Sequence, residues 1–540
     1  MDRRGSIIWR GAWAGAIIAP AAFLTVFFLH PVTDMLATGL EGASVSEVLG
    51  TATKPRTLKV LLNTLTQAGM GTALSVLLGV PGAYVLYRLS FPGQRALRAL
   101  ATVGFVLPTV VVGVAFRALL GRGGPLEFLG LDETITSVVL ALAFFNYSVV
   151  VRQVGTMWAS LDPDTGRAAR TLGASRWRAF RTVTLPHLAP AITSSAAIVF
   201  LFCSTSYGLV RTLGSPGYGT LETEIWRRAT AYLDIHSVAV LSIIQILVIL
   251  LVLGVSAAVT SDPLTLRRYR AAPTVSDIPA LAITAVAMVF LALPLLTLAL
   301  RSLKSRSGWG LENYRLLATS GEGFAGGAPV TEAIGNSLRT ASVAALIALA
   351  AGTLIALVLS RRTSGLLRVG QTLYGGLILA PIGVSAVTVG YGFSVALDSP
   401  PLDLRSSPWL IPIAQAVVAL PLVVRSLTPL LSSINPAQRE AAATLGASPW
   451  RVLATVDGPY LWRGMGVAAG FAFAASLGEF GATSFLARPD TQTLPVVIVR
   501  LLGRPGENNY GMAMAAAVIL GVVTATIMAV AELRQKDTHD

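Results

Sequence analysis

The 540-residue sequence predicts an all-α integral membrane protein of about twelve transmembrane helices, arranged as two parallel, homologous six-helix halves. Three observations carry that prediction. The chain is poor in charge, long apolar runs recur from one end to the other, and a sequence pattern returns at a fixed spacing.

Charged residues make up 13% of the chain and hydrophobic residues 54%, with a mean hydropathy of +0.68. A soluble chain carries roughly 25% charged residues, so about half the usual charge is missing. A hydrocarbon layer about 30 Å thick needs roughly 20 apolar residues of helix to cross it. In the first half, runs of that kind lie near Ala12–Leu29, Val60–Leu86, Leu100–Leu120, Thr136–Met157, Ala189–Val210 and Ser237–Val259. In the second they lie near Ile278–Leu300, Ser337–Leu359, Leu373–Val395, Leu410–Leu430, Gly464–Phe485 and Gly511–Val530. Their Gly and Pro residues are tolerated where neighbouring helices re-satisfy the backbone. The runs lack the period-two alternation of a β-barrel.

The net charge of +14 raises nucleic acid as a partner, so its placement decides. An even number of spans puts both ends on one side, and Met1-Asp2-Arg3-Arg4 points to the cytoplasm. In that topology the whole excess (24 basic − 10 acidic = 14) lies in cytoplasmic segments. Such a bias is an orientation signal, so the partner it implies is lipid and not nucleic acid. Cys203 is the sole cysteine, which excludes a disulfide framework. The N-terminal apolar stretch reads as a retained first helix, since no small-residue cleavage pattern follows it. His30, His187, His236 and His539 are scattered without metal-ligand spacing, so neither a metal nor a catalytic residue is expected.

Self-similarity supplies the third observation. Thr171-Leu-Gly-Ala-Ser175 returns as Thr444-Leu-Gly-Ala-Ser448, an offset of 273 residues. In the same register Asn63 maps to Asn336, Gly79 to Gly352, Arg88 to Arg361, Pro108 to Pro381, Pro186 to Pro459 and Arg227 to Arg500. A gap-free register over this length reads as a duplication. Six spans per copy make the halves parallel, with a path between them.

The repeated segment follows the fourth span of each half. It reads GRAARTLGASRWRAFRTVTLP at 166–186 and REAAATLGASPWRVLATVDGP at 439–459. Each copy predicts a short helix, a sharp turn at Gly173 or Gly446, and a second amphipathic helix ending before the proline. Trp177 and Trp450 would then face the cytoplasm on an apolar knob.

These residues resemble the Glu-Ala-Ala loop of binding-protein-dependent ABC importer permeases. The second copy matches at Glu440, Ala441, Ala442, Gly446 and Pro459. The first matches at Ala168, Ala169, Gly173 and Pro186, but Arg167 stands at the glutamate position. The resemblance implies the type I importer permease fold, in two modules. Residues 1–265 would form the first, with its coupling loop at 160–186, and 266–540 the second, with its loop at 433–459. It implies two copies of an ATP-binding cassette subunit docked on the loops, an extracytoplasmic solute-binding protein, and residence in a bacterial cytoplasmic membrane. ATP and Mg²⁺ would sit on the partner. This chain has four lysines (Lys54, Lys59, Lys304, Lys536), none preceded by glycine, so it lacks the usual phosphate-cradling loop. No cofactor and no covalent chemistry are expected of it.

Ionisable groups inside a membrane are functional candidates. Glu479 falls in the eleventh span, and its repeat mate is Ser206, close to Ser204. With Asn146 these form the candidate substrate path. A structural tie from Glu479 to Arg488 or Arg500 is the competing reading. Phe200–Gln245 resembles thiamine importer permeases, above all at Thr220–Ile225 and Ala231–Asp234, as does Phe91–Arg98. The cargo implied is thiamine or a thiamine phosphate, with ferric-iron importer permeases the next resemblance. A secondary transporter of the major facilitator kind also has twelve spans in parallel halves, but its basic motif after the second span is not evident.

Overall fold

The computed structural model describes residues 3–536 apart from 216, 259–268, 270, 325–327, 362 and 399–401. The expected boundary between the halves, at 265/266, lies outside the described residues. Among those described, strand is confined to a two-residue hairpin, Lys304–Ser305 with Gly308–Trp309. The rest of the regular structure is helix.

Two matching three-helix bundles form the centre. Pro55–Ala83, Ile135–Ser160 and Leu185–Ser204 pack together in the first half; Val330–Leu359, Leu410–Ser432 and Gly458–Leu477 do so in the second. The reasons for contact repeat residue by residue. A Cβ on Gly79 would come within 2.7 Å of Val150, and one on Gly352 within 2.5 Å of Val423. Only glycine lets these backbones approach so closely, as small residues do in membrane bundles. Asn63 donates to the Gly219 carbonyl at 2.9 Å, and Asn336 to the Gln492 carbonyl at 3.3 Å. The Thr64 hydroxyl accepts from the Leu221 amide, and the Ser337 hydroxyl from the Leu494 amide. The 273-residue offset is therefore a pseudo-twofold relation in space.

The halves are entwined. The first helix of the chain, Arg3–Leu24, lies against Val330–Leu359 and Leu366–Leu379 of the second half. Its continuation, His30–Leu40, lies against Ala386–Ala396. In return Ile278–Ser302, the first helix of the second half, packs on Thr109–Leu120 and Pro55–Ala83. The two ends of the described chain both lie against the second half. Arg361 lies over the Trp13 ring at 5.4 Å, and Ala531 meets Gly470 on the helix that follows the second loop.

Nine of the expected spans contain an apolar helix of crossing length among the described residues, although the fifth, Ala189–Val210, breaks after Ser204. The other three depart from simple spans. Leu100–Leu120 resolves into Gln94–Val106 and Thr109–Leu120, bent by 107°. Leu107 and Pro108 are extended there, because the residue before a proline is pushed out of the helical region. Leu373–Val395 divides the same way, at the 3-10 turn Ala380–Gly383. The Gly458–Leu477 helix stops short of the expected end at Phe485, and a four-residue helix, Thr483–Leu486, follows.

The gap-free register also needs correcting. Gly208 backs onto Thr109 and Gly481 onto Ala386. The glycines keep the offset (481 − 208 = 273), but their neighbours differ by four more (386 − 109 = 277). The third span of the second half is therefore displaced by four residues, and the 273 offset is regained by Val150 and Val423 in the fourth.

Candidate functional site

The two loops have one backbone built by the same devices. Each opens on a short polar side chain that caps a nine-residue helix starting with proline. Asp162 accepts from the Asp164 amide before Pro163–Thr171, and Asn435 from the Ala437 amide before Pro436–Thr444. Each helix ends on a left-handed glycine, Gly173 at φ +88° and Gly446 at φ +82°. The Ala174 amide reaches the Ala169 carbonyl and the Gly173 amide the Arg170 carbonyl; Ala447 to Ala442 and Gly446 to Ala443 repeat the pair. This is the Schellman arrangement, which satisfies the last carbonyls of a helix. Ser175 and Ser448 then cap the next turn through the Arg178 and Arg451 amides.

The expected stop before the proline is not there. Each second helix runs through a π-helical turn, Phe180–Thr184 or Leu453–Asp457, directly into the following span. Pro186 and Pro459 fall directly after those π-helical turns, inside the continuous helix, where the widened turn takes up a residue that has no N–H to donate. Each loop is thus a rigid extension of a central helix.

The loops hold up an apolar surface. Trp177 is 70% exposed and Trp450 48%, while Leu172 and Leu445, absent from the sequence prediction, are 89% and 88% exposed. Both leucines precede the turning glycine, where the chain is thrown outward, and that adjacency was the signal available. Ala168, Ala169, Ala441 and Ala442 lie in the short helices. Arg167 and Glu440 stand exposed at equivalent positions, and Arg167 pairs with Asp164 at 3.0 Å.

The loops differ in how they are fastened. Asp457, fully buried, accepts from Arg439 and Arg361, each at 2.7 Å. In the first half Trp177 stacks on Phe180 (5.6 Å) and Phe180 on Trp158 (6.1 Å), and Trp158 meets Tyr84 at a tilt (5.0 Å).

The candidate path residues separate. Glu479, buried, accepts from the amides of Ala482 and Thr483 at 2.7 and 2.9 Å and from the Thr483 hydroxyl. Its carboxylate stitches the break after Leu477, so the expected tie to Arg488 or Arg500 is replaced by backbone donors. Ser206 occupies the equivalent break after Ser204, where the Leu185–Ser204 helix gives way to Tyr207–Leu213. Ser204 donates within its own helix, to Leu201. Asn146 spends its amide inside the first bundle, on the Leu142 carbonyl and Cys203 Sγ. The structure brings Ser206 and Glu479 to equivalent breaks, and holds Asn146 on Cys203 just before the first of them.

Two glutamates that the sequence analysis did not single out lie on Leu221–Arg227. Glu224 meets Arg56, Arg227 and Arg228. Burial pushes its carboxyl up, but hydrogen bonds from Arg227 and Arg56 outweigh that and hold it below the ordinary range. Glu222 is 1% exposed and bonds Gln245 and, across the seam between the halves, Ser385. Two glutamates two apart on a helix in apolar sequence point in different directions, and that spacing was the available signal.

Residues 71–264 match a family model described as the inner membrane component of binding-protein-dependent transport systems. The thiamine transport system permease protein ThiP of Brucella abortus (strain 2308) is 27% identical over 487 residues, covering 87% of this chain and 86% of that protein. The sulfate transport system permease protein CysT of Escherichia coli (strain K12) is 31% identical over 194 residues, covering 35% of this chain and 70% of that protein. Among solved structures, a chain of a bacterial alginate ABC transporter, crystallised with a pentasaccharide-bound periplasmic protein, is 17% identical with a TM-score of 0.39; the match covers 48% of this chain and 96% of that chain.

Proposed function

Because the chain belongs to the family of inner membrane components of binding-protein-dependent transport systems, we propose that it is the permease of a thiamine importer. The observation that carries the cargo is the full-length likeness to a protein named as a thiamine transport permease, over 87% of this chain. A likeness over both halves is more specific than one limited to a single module.

In this reading the two loops lie in the cytoplasm, with both chain ends, and a pair of ATP-binding subunits grips them. Leu172, Trp177, Leu445 and Trp450 enter grooves on those subunits, as exposed apolar side chains on a rigid support do. Closure of the ATPase pair draws the loops together. Each loop continues into a central helix, so that motion passes to the bundles without a flexible joint. A loaded binding protein delivers cargo at the opposite end, and the halves alternate access around the seam. Ser206 and Glu479, at the helix breaks, belong to the moving centre of the path. Covalent chemistry is left to the partner ATPase, which holds ATP and Mg²⁺.

Labelled thiamine uptake at low external concentration tests the cargo, in cells lacking the gene and in cells with it restored. Uptake that falls and recovers supports the reading. Unaffected uptake removes thiamine and brings ferric iron forward, with the permease assignment intact.

A further inference from the structure

The seam between the halves holds a buried carboxylate without a cation. Glu222 takes the Gln245 side-chain amide at 2.5 Å and the Ser385 hydroxyl. Ser385 in turn caps Ala386–Ala396, accepting from the Val387 amide at 3.0 Å. Glu222 therefore sits on one half and faces the positive end of a helix in the other. Glu224, two residues on, has three arginines. Positions two apart on a helix face about 200° from each other. One short helix thus turns a neutralised carboxylate away from the seam and an un-neutralised one into it. Among the described residues no Lys, Arg or His pairs with Glu222. Buried charges are ordinarily paired or neutralised, and in transporters an unpaired one marks the cargo route.

Beside it lies an aromatic pair. Tyr207 and Phe480 occupy equivalent positions (480 − 207 = 273), and their rings stack at 5.1 Å with 16° between planes. The pseudo-twofold axis passes between them. Both are buried, at 4% and 6% exposure; the Tyr207–Leu213 helix packs on the helix that carries Glu222, and Gly481, next to Phe480, lies against Ala386, next to Ser385. Among the described residues Ser206 Oγ and Gln245 Oε1 have no hydrogen-bond partner, while Arg211 lies over the Trp226 ring on the other side of Tyr207. The axis therefore offers two aromatic faces, one carboxylate and two unspent polar atoms.

We propose that Glu222, Tyr207 and Phe480 form the selective point of the path, built for a flat organic cation. The rings part to take the cargo's ring between them. The carboxylate, released as Ser385 moves off with the second half, meets the positive charge. Aromatic faces attract such cations, whereas a hard metal ion wants several oxygen ligands. The proposal rests on the thiamine reading and deepens it.

The test uses the whole importer in vesicles, with its ATPase and saturating thiamine-loaded binding protein, and reads labelled thiamine imported per ATP hydrolysed. Glu222→Gln keeps shape and one of the two acceptor oxygens but removes charge, and it should cut that ratio about tenfold while stimulated ATP hydrolysis persists. Glu222→Asp, which keeps the charge, should restore most of it. A Glu222→Gln importer that matches a thiamine-importing wild type overturns the proposal and leaves the cargo reading standing. Equal loss of ATP hydrolysis and uptake also overturns it, by making Glu222 a structural tie. A wild type that imports no thiamine removes the cargo reading and the proposal with it. If Glu222→Gln fails to assemble, Phe480→Leu carries the test. A several-fold loss of the same ratio supports the aromatic pair, and an unchanged ratio overturns it.

Discussion

The two exposed loops have the same shape and different moorings. Polar caps, a left-handed glycine and a π-helical exit recur in both. Behind the first loop stands an aromatic ladder from Trp177 to Tyr84, whose hydroxyl reaches Asp277 at 2.8 Å. At the equivalent positions behind the second loop Leu453, Leu431 and Leu357 replace Phe180, Trp158 and Tyr84. There the mooring is ionic, Asp457 between Arg439 and Arg361. The first half has Thr184 and Gly166 at the Asp457 and Arg439 positions, and Arg88 turns to the Leu161 carbonyl at 2.8 Å. A fused duplication can keep the outward form that a symmetric partner grips while each copy solves its own attachment separately.

The largest expected effect comes from destroying the shared shape. A β-branched residue at a left-handed position costs about 1–2 kcal/mol and unwinds the turn. Gly173→Val with Gly446→Val should therefore abolish uptake in cells while the chain still inserts and accumulates. Undiminished uptake in the double variant would end the docking role of the loops.

Next in size is the ionic mooring. Asp457→Asn leaves two partly buried arginines facing a neutral group, and breaking a buried pair costs about 3–5 kcal/mol. The thermal midpoint of the purified chain should drop clearly, with uptake reduced several-fold. Thr184→Ala, the matching change in the first copy, should alter stability by no more than about 0.5 kcal/mol. The aromatic mooring should break more gently. Phe180 is half-buried, so Phe180→Ala should cost about 2 kcal/mol, below the range for a fully buried ring. Added salt should weaken only the ionic mooring, and modestly, because Asp457 is buried. Thermal scans of both variants in low and high salt check the contrast.

Much of this was legible in the sequence, for physical reasons that also set its limit. Hydropathy found the spans, and the repeated TLGAS segment found both loops, because caps and turning glycines are local chemistry. The broken spans were not legible. Pro81, Pro190, Pro294 and Pro421 lie inside continuous helices, whereas Pro108 marks a sharp bend. A proline allows either outcome, and packing against the other half decides. Asp457 looked like one loop residue among several, since its arginines come from 18 and 96 positions away. Glu479 was found as a buried acid, but not its use, because a carboxylate that caps backbone and one that meets cargo read alike in sequence. Glu222 lay within Thr220–Ile225, noted there only as a resemblance. Its opposite facing from Glu224 emerges once that segment is a helix lodged between the halves.

The smallest expected effect concerns the one loop position whose charge is reversed. Arg167 and Glu440 are both exposed, and the Asp164–Arg167 pair is a surface contact one helical turn apart. Such pairs contribute about 0.2–0.5 kcal/mol, so neither Arg167→Glu nor Glu440→Arg should move the thermal midpoint appreciably. Their effects on coupling should differ. Glu440 sits on the loop moored by charge, where an added cation lies beside Arg439 and loosens its hold on Asp457. Arg167 sits on a loop moored by rings, which a charge reversal leaves untouched. Binding-protein-stimulated ATP hydrolysis should therefore fall about twofold to threefold for Glu440→Arg and stay near wild type for Arg167→Glu. Equal losses would mean that the ATPase reads the sign at both positions, and the difference between the loops would then belong to docking and not to mooring.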